Sequence, residues 1–449
     1  MELKSNVGAR SITSMSTNRE NNSNRGGSGL LEEILTGKNL NLAYKRVMAN
    51  KGGSGVDGMT VDELMPYLRE NFHEIRQSLL EGGYKPKPVR RVEIPKPDGG
   101  KRLLGIPTVI DRMIQQAIAQ VLSPIYEEQF LDASYGFRPG RNAKQAVIKC
   151  KEHIEAGYKW AVDIDLAKYF DTVNHDKLMR LLSQTISDGR VLSLIRKYLE
   201  SGVMINGVLM ETEEGTPQGG NLSPLLGNIM LHELDKELAK RGLRFCRYAD
   251  DCNIYVKSKK SAERVMESIT RFIEEKLKLR VNKEKSLVER PWKLKFLGFS
   301  FYPKKGGYGI RVHPKSIKKF KLKLKSITGR SNAMSMEVRM KQLNSAIIGW
   351  VNYFGIADMK VLAKTLDEWV RRRIRMCHWK QWKRIHTKRD NLVRLGIDNS
   401  HAWQFANSRK SYWRIAKSHV LNTSLTNDVL SKLGLPSIFN RLSVVHRSC

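Results

Sequence analysis

The chain has 449 residues, 41% of them hydrophobic, enough for about three domains with real cores and too many for a chain disordered throughout. Its 79 Lys and Arg against 45 Asp and Glu give a formal charge of +34. That excess suits a polyanionic partner, because cations steer nucleic acid inward and release its counterions on contact. Apolar runs fall well short of the ~20 residues that span a bilayer, and no secretory leader is evident. Five scattered cysteines (Cys150, Cys246, Cys252, Cys377 and Cys449) without a CxxC pair argue against disulfide scaffolds and zinc knuckles, and for a reducing compartment.

Residues 1–28, ending in NRENNSNRGGSG, are rich in Ser, Asn and Gly and are expected to form a disordered, solvated tail, with a transit peptide as the alternative. From Leu30 the apolar positions (Leu31, Ile34, Leu35, then Leu40, Ala43, Tyr44, Val47) recur at helical spacing. Residues 52–58 (GGSGVDG) are too Gly-dense for regular structure, and helical spacing resumes at Val61, Leu64 and Leu68. Alternation over residues 90–107 predicts a hairpin turning at Pro97, Asp98, Gly99 and Gly100. A helix over 110–128 follows, then a buried strand at 160–166 (WAVDIDL) that runs out into a turn. A second hairpin at 243–257 folds back around Ala249, Asp250 and Asp251, with an amphipathic helix after it at 261–278. This ββα run makes the centre of the chain α+β.

Composition shifts near residue 310. From Arg311 onward there are 29 Lys and Arg against 7 Asp and Glu, +22, leaving +12 for the first 310 residues. Six of the eight Trp (Trp350, Trp369, Trp379, Trp382, Trp403, Trp413) lie in this last third, whose periodicity is helical almost throughout. Cations with interleaved rings suit nucleic acid, although any single Trp is more simply a core residue of a small helical domain.

Two acidic elements occupy strand ends: Asp163-Ile164-Asp165, with Tyr169-Phe170-Asp171 beyond it, and Tyr248-Ala249-Asp250-Asp251 at the tip of the second hairpin. Adjacent carboxylates at a turn raise each other's pKa, and divalent cations remove that penalty. Mg²⁺ takes oxygen ligands of this kind while keeping waters and substrate phosphates. An Ala-Asp-Asp turn alone is weak, because Asp is a common turn residue.

The company it keeps is specific. Lys96 and Arg102 flank the first hairpin. Then come Phe137-Arg138-Pro139-Gly140-Arg141, the Asp165 to Asp171 block, Thr216-Pro217-Gln218-Gly219-Gly220-Asn221-Leu222-Ser223-Pro224, Lys285, and Phe296-Leu297-Gly298-Phe299. In this order they resemble the blocks of reverse transcriptases, with Tyr248 to Asp251 as the palm signature. The 52–58 loop, Arg138 to Arg141, and residues 343–354 (LNSAIIGWVNYF) more specifically resemble group II intron-encoded reverse transcriptases, or maturases. Without the Cys- and His-bearing HNH endonuclease domain of the fuller family pattern at its end, the chain looks like their endonuclease-lacking (class C) branch.

The resemblance implies an α+β right-hand polymerase with an all-helical thumb and a small basic C-terminal domain. Its expected boundaries are an N-terminal extension at 29–85, fingers and palm at 86–310, a thumb or maturase X domain at 311–389 and a DNA-binding domain at 390–449, with no endonuclease domain. It implies an RNA-directed DNA polymerase that copies intron RNA for retrohoming and assists splicing, working in the bacterial cytoplasm as a ribonucleoprotein. Its partners would be intron RNA, an RNA template with a DNA primer, target DNA and deoxynucleoside triphosphates.

Two Mg²⁺ ions would be held by Asp165, Asp250 and Asp251 with the backbone carbonyl of Ile164, while Asp163 is read as a structural strand residue. Lys96 and Arg102 would grip the triphosphate, Phe170 would exclude a 2′-hydroxyl, Gln218 would bond near the nascent pair, and Lys285 would protonate pyrophosphate. Gly219 and Gly220 would admit a base pair and Gly298 would support the primer. Arg138, Arg141, Arg371, Arg372, Arg375, Trp379, Lys383 and Arg384 would contact nucleic acid, with Ile374 and Cys377 turned to the core. The alternatives are a reverse transcriptase of a retron, diversity-generating or CRISPR-associated lineage, a splicing-only RNA-binding maturase and, disfavoured by the bulk of Phe170, an RNA-templated RNA polymerase.

Overall fold

A computed structural model describes residues 29–95, 100–205, 208–210, 214–216 and 219–447. The tail expected at 1–28, together with Lys96, Gln218 and Cys449, lies outside them. The chain divides into two compact units, one through Glu289 and one from Arg290.

The first unit opens with helices Leu30–Ile34, Gly37–Asn50 and Leu64–Leu80, whose buried faces (Leu40, Ala43 and Val47 in the second) follow the spacing read from sequence. The first two pack against helix Val109–Glu127, which Thr108 starts by accepting the Asp111 amide. The Gly-dense loop docks beside it. The Arg112 guanidinium donates to the Gly53 carbonyl at 2.9 Å. A Cβ on Gly55 would lie 2.6 Å from the Thr108 Cα, so only glycine allows that approach.

The strands are β1 (Val89–Pro95), β2 (Lys101–Ile106), β3 (Trp160–Ile164), β4 (Val203–Ile205), β5 (Val208–Met210), β6 (Arg244–Tyr248), β7 (Asp251–Val256), β8 (Leu287–Glu289), β9 (Phe299–Lys304) and β10 (Gly307–Val312). They form a sheet of order β2-β1-β4-β5, a second of order β6-β7-β3-β8, and the β9–β10 hairpin. Both hairpins expected in this unit are present, β1–β2 pairing from Arg90↔Ile106 to Pro95↔Lys101 and β6–β7 from Arg244↔Tyr255 to Tyr248↔Asp251. Helix Lys259–Glu275 packs against β3, β7 and β8, completing the ββα arrangement. The short strands β4 and β5, which no periodicity announced, extend the first sheet through a parallel β1–β4 pairing.

The second unit carries β9–β10, then helices Pro314–Ile327, Met336–Phe354 and Lys360–Gln381, and a run of shorter helices ending with Ile438–Arg447. That last helix packs on Lys360–Gln381. Asp367 caps it, accepting from the Ile438 amide at 2.7 Å, the Phe439 amide at 3.1 Å and the Ser437 hydroxyl at 2.8 Å. The chain is α+β, with its sheets concentrated in the first unit. Among the described residues no helix is long and apolar enough to cross a membrane.

Candidate active site

Strand alternation builds the acidic face. Val162 and Ile164 of β3 are 0% and 1% exposed and enter the core, so Asp163 between them and Asp165 just past the strand end belong to the opposite face. Asp163 pairs with Asn253 of β7, which puts Asp251 one diagonal step away on the same face. Burial, then the charges of Asp251 and Asp165, push the Asp163 carboxyl up to about 7. Asp163 is thus a member of the acidic group and more than the strand residue read from sequence.

Asp250 sits at the β6–β7 turn. Burial raises its pKa, a bond from its own amide opposes this, Asp165 raises it further, and Arg102 and Arg247 pull it down. Asp165 and Asp250, from segments 85 residues apart, therefore share one electrostatic environment, with Arg102 of β2 beside it.

Among the described residues no three Asp, Glu, His or Cys side chains are gathered closely enough to hold a metal ion by themselves. The donors are all carboxylate oxygens, which fits a hard divalent cation completing its shell from phosphate and water. Ile164 is paired with Cys252 inside the sheet.

The main chain of Asp165 is held from below. Its amide donates to the Ser286 hydroxyl at 3.0 Å and its carbonyl accepts from the Asn282 amide at 2.8 Å. Exposed Lys285 rides the same turn, its amide donating to the Asn282 carbonyl at 3.2 Å. Nothing in the sequence pointed to Asn282 or Ser286.

Phe170 lies in the single turn Tyr169–Asp171. The Tyr169 hydroxyl donates to the Gly227 carbonyl at 2.7 Å. A Cβ on Gly227 would come within 3.3 Å of the Tyr169 ring and 3.4 Å of the Phe170 ring. The absent side chain at 227 thus lets helix Ser223–Lys240 close on both rings, leaving Phe170 half-buried against the core.

Several expected contacts are placed differently. Arg138 is not available to nucleic acid. Its side chain is 2% exposed, and all five donors serve the Glu127 carboxylate and the carbonyls of Phe130, Leu131 and Ser134. Arg141 is paired with Asp132 at 2.5 Å. Gly219 (φ +120°) would place a Cβ 2.6 Å from the Gly105 carbonyl, and Gly220 one 2.8 Å from Gln115 Oε1. These glycines therefore admit β2 and a core side chain, where a base pair was expected.

In the second unit, Gly298 (φ +86°) packs against Phe354, and its carbonyl accepts from the Ser316 hydroxyl at 2.9 Å. Trp379 is only 2% exposed and belongs to the core with Ile374 and Cys377, which corrects its expected role in nucleic-acid contact. Arg371, Arg372 and Arg375 line a cleft of about 690 Å³ with Trp369, Trp413 and Lys417. The Arg372 guanidinium stacks 3.9 Å from the Trp413 ring centre. Arg375 donates to the Leu425 carbonyl at 3.0 Å. Lys383 and Arg384 are exposed beyond this helix.

These features agree with comparisons to known proteins. The family profile of reverse transcriptase (RNA-dependent DNA polymerase) matches residues 94–301, and that of the group II intron maturase-specific domain matches residues 317–396. Protein YkfC of Escherichia coli (strain K12) is 35% identical over 321 residues, covering 62% of this chain and 84% of YkfC. The group II intron-encoded protein LtrA of Lactococcus lactis subsp. cremoris is 33% identical over 332 residues, covering 59% of this chain and 55% of LtrA, so the chain spans about half of that relative's length. Among solved structures, a chain of a partial Cas6-RT-Cas1–Cas2 complex aligns at 21% identity and a TM-score of 0.36, covering 55% of this chain and 43% of that one. With a polymerase profile over its acidic sheet and a maturase profile over its basic helices, the chain belongs to the group II intron reverse transcriptases and is an RNA-directed DNA polymerase joined to a maturase domain.

Proposed function

We propose that this protein copies group II intron RNA into DNA for retrohoming and holds the same RNA folded for splicing. It would work in the bacterial cytoplasm as a ribonucleoprotein with that RNA, on target DNA and with deoxynucleoside triphosphates. The observation that carries the polymerase half is the placement of Asp165, just past the end of β3, beside the start of β7, where Asp250 and Asp251 form the β6–β7 turn.

Asp165, Asp250 and Asp251 would hold the divalent ions, read here as two Mg²⁺. When bound, such ions make the primer 3′-hydroxyl a better nucleophile and offset the charge of departing pyrophosphate. The chain supplies the rest. Arg102, beside Asp250, meets the triphosphate, with Lys96 assigned the same task. Lys285, on the turn that grips the Asp165 main chain, would give a proton to departing pyrophosphate. The Phe170 ring, backed by Tyr169 and the helix at Gly227, would exclude a 2′-hydroxyl.

The splicing half rests on the second unit, where residues from 311 onward carry +22 and the arginine- and tryptophan-lined cleft offers cations with stacking surfaces. On this reading fingers and palm occupy 86–310, the thumb 311–389 and a DNA-contacting region 390–449. Primer extension on an RNA template with Mg²⁺, beside a splicing assay on the flanking intron RNA, tests both halves. Splicing without extension would leave a splicing-only maturase.

A further inference from the structure

The β6–β7 turn has an unusual backbone. Ala249 has φ +57°, a left-handed conformation costly for a residue with a side chain. Something must hold it there, and the structure shows what does. Arg247, two residues before it, is 0% exposed. Its Nε and Nη2 donate to Asp235 Oδ1 and Oδ2 at 2.7 and 2.5 Å, and its Nη1 donates to Asn228 Oδ1 at 3.0 Å. The same Nη1 donates to the Ala249 carbonyl at 2.9 Å.

Asn228 and Asp235 lie seven residues apart, two turns along one face of helix Ser223–Lys240. Asn228 Nδ2 donates in turn to the Gly136 carbonyl at 2.8 Å. Gly136 closes the other side of the turn, since a Cβ there would lie 2.2 Å from the Ala249 nitrogen. The strand is locked laterally as well: the Arg247 amide donates to Ala133 O at 2.9 Å and the Tyr135 amide to Arg247 O at 2.8 Å.

Stability alone is a poor account of this arrangement. A buried ion pair seldom outperforms apolar residues of the same volume, because both ions lose their hydration. What an apolar pair cannot do is donate to the Ala249 carbonyl. A lysine could hold the charge, but it lacks the planar fork that serves a carboxylate with one edge and a carbonyl with the other.

We propose that Arg247 is a positioning residue for the catalytic turn: braced by Asp235 and Asn228, its guanidinium holds the Ala249 carbonyl and so fixes the left-handed bend that presents Asp250 and Asp251. This rests on the reading of Asp250 as a catalytic carboxylate. The bend makes the two carboxylates leave the hairpin in fixed directions, and the arginine acts only through that backbone.

The test compares Arg247→Lys, Arg247→Met and Gly136→Ala with the parent, using the full chain and normalising to primer-template binding. Amide hydrogen exchange over residues 248–251 is read without nucleotide, and steady-state extension with it. Each variant is expected to bind primer-template and to keep its KM for deoxynucleotide within about twofold. The turn amides should exchange about tenfold faster and kcat should fall about 100-fold, the scale of a displacement near 1 Å. Gly136→Ala leaves the ion pair intact and strikes the turn from the opposite side, so it carries the test if the arginine variants fail to fold. Unchanged exchange at 248–251 with unchanged kcat in folded variants would overturn the proposal. Asp250→Ala separates the two levels: extension surviving in that variant refutes the catalytic reading, whereas loosening of the turn by Arg247→Lys is read independently of it.

Discussion

Asp163 stands one diagonal step across the β3–β7 ladder from Asp251, on the same face of the sheet. Its carboxyl, pushed up to about 7 by burial and by Asp251 and Asp165, is strongly at odds with ionisation. An unfolded aspartate titrates near 4, so between roughly pH 4 and 7 the unfolded chain binds fewer protons than the folded one. This group's stabilisation is therefore full below about pH 4 and is lost as pH rises to about 7. In chelator, Asp163→Asn should flatten that decline in urea midpoint, and Mg²⁺ should restore parent stability at pH 8. Parallel curves for parent and variant would remove Asp163 from the acidic group.

Replacing Asp250 with alanine should abolish extension of a primer on RNA while binding of intron RNA stays within about twofold, because the basic cleft lies in the other unit. Filter binding and extension on the same preparation decide it. Persistent extension in a clean Asp250→Ala preparation would refute the assignment.

Phe170→Ala should admit ribonucleotides, raising their kcat/KM relative to deoxynucleotides by about tenfold or more. Because the ring also packs against the core, thermal midpoints should be measured alongside. Identical sugar discrimination in a folded variant would reject the steric role.

His153 lies 5.5 Å from the Tyr255 ring, and burial, then the charge of Lys149, pushes its pKa down to about 4. The unfolded ring takes a proton near pH 6.5. The stability it contributes is complete above that pH and is lost as pH falls toward 4. His153→Leu should therefore narrow the difference in urea midpoint between pH 7 and pH 5; an unchanged difference would contradict the shift.

Arginines that look alike in sequence should part company under mutation. Arg371→Ala should weaken intron RNA binding and reduce the slope of log affinity against log salt by about one. Arg138→Ala should leave that slope alone and cost roughly 3 kcal/mol or more of stability, since it orphans a carboxylate and three carbonyls. Salt titration and urea melts distinguish the two.

Much of this was legible before any coordinates. Alternation placed β1 and β2, an apolar run and a hairpin turn placed β3, β6 and β7, and motif order assembled the carboxylates, because strand period and turn chemistry are local properties. What escaped was set by tertiary partners. Arg138 and Trp379 carry residue types typical of nucleic-acid surfaces, yet a facing carboxylate and a helical core took them inward. Asp163 read as structural because its crowding comes from Asp251, 88 residues further along the chain. The local hint of the Arg247 brace was a cation directly following the buried Phe245 and Cys246 on β6.

Helix Ser223–Lys240 touches the Phe170 ring, to which we assign sugar selection, through Gly227, and reaches the Ala249 bend by holding Arg247 and Gly136 through Asn228 and Asp235. On these proposed roles, discrimination and turnover hang from one rigid rod. An enzyme engineer who shifts that rod to widen nucleotide tolerance will move the reactive carboxylates with it, and variants of this chain selected for relaxed sugar choice should surrender speed in proportion.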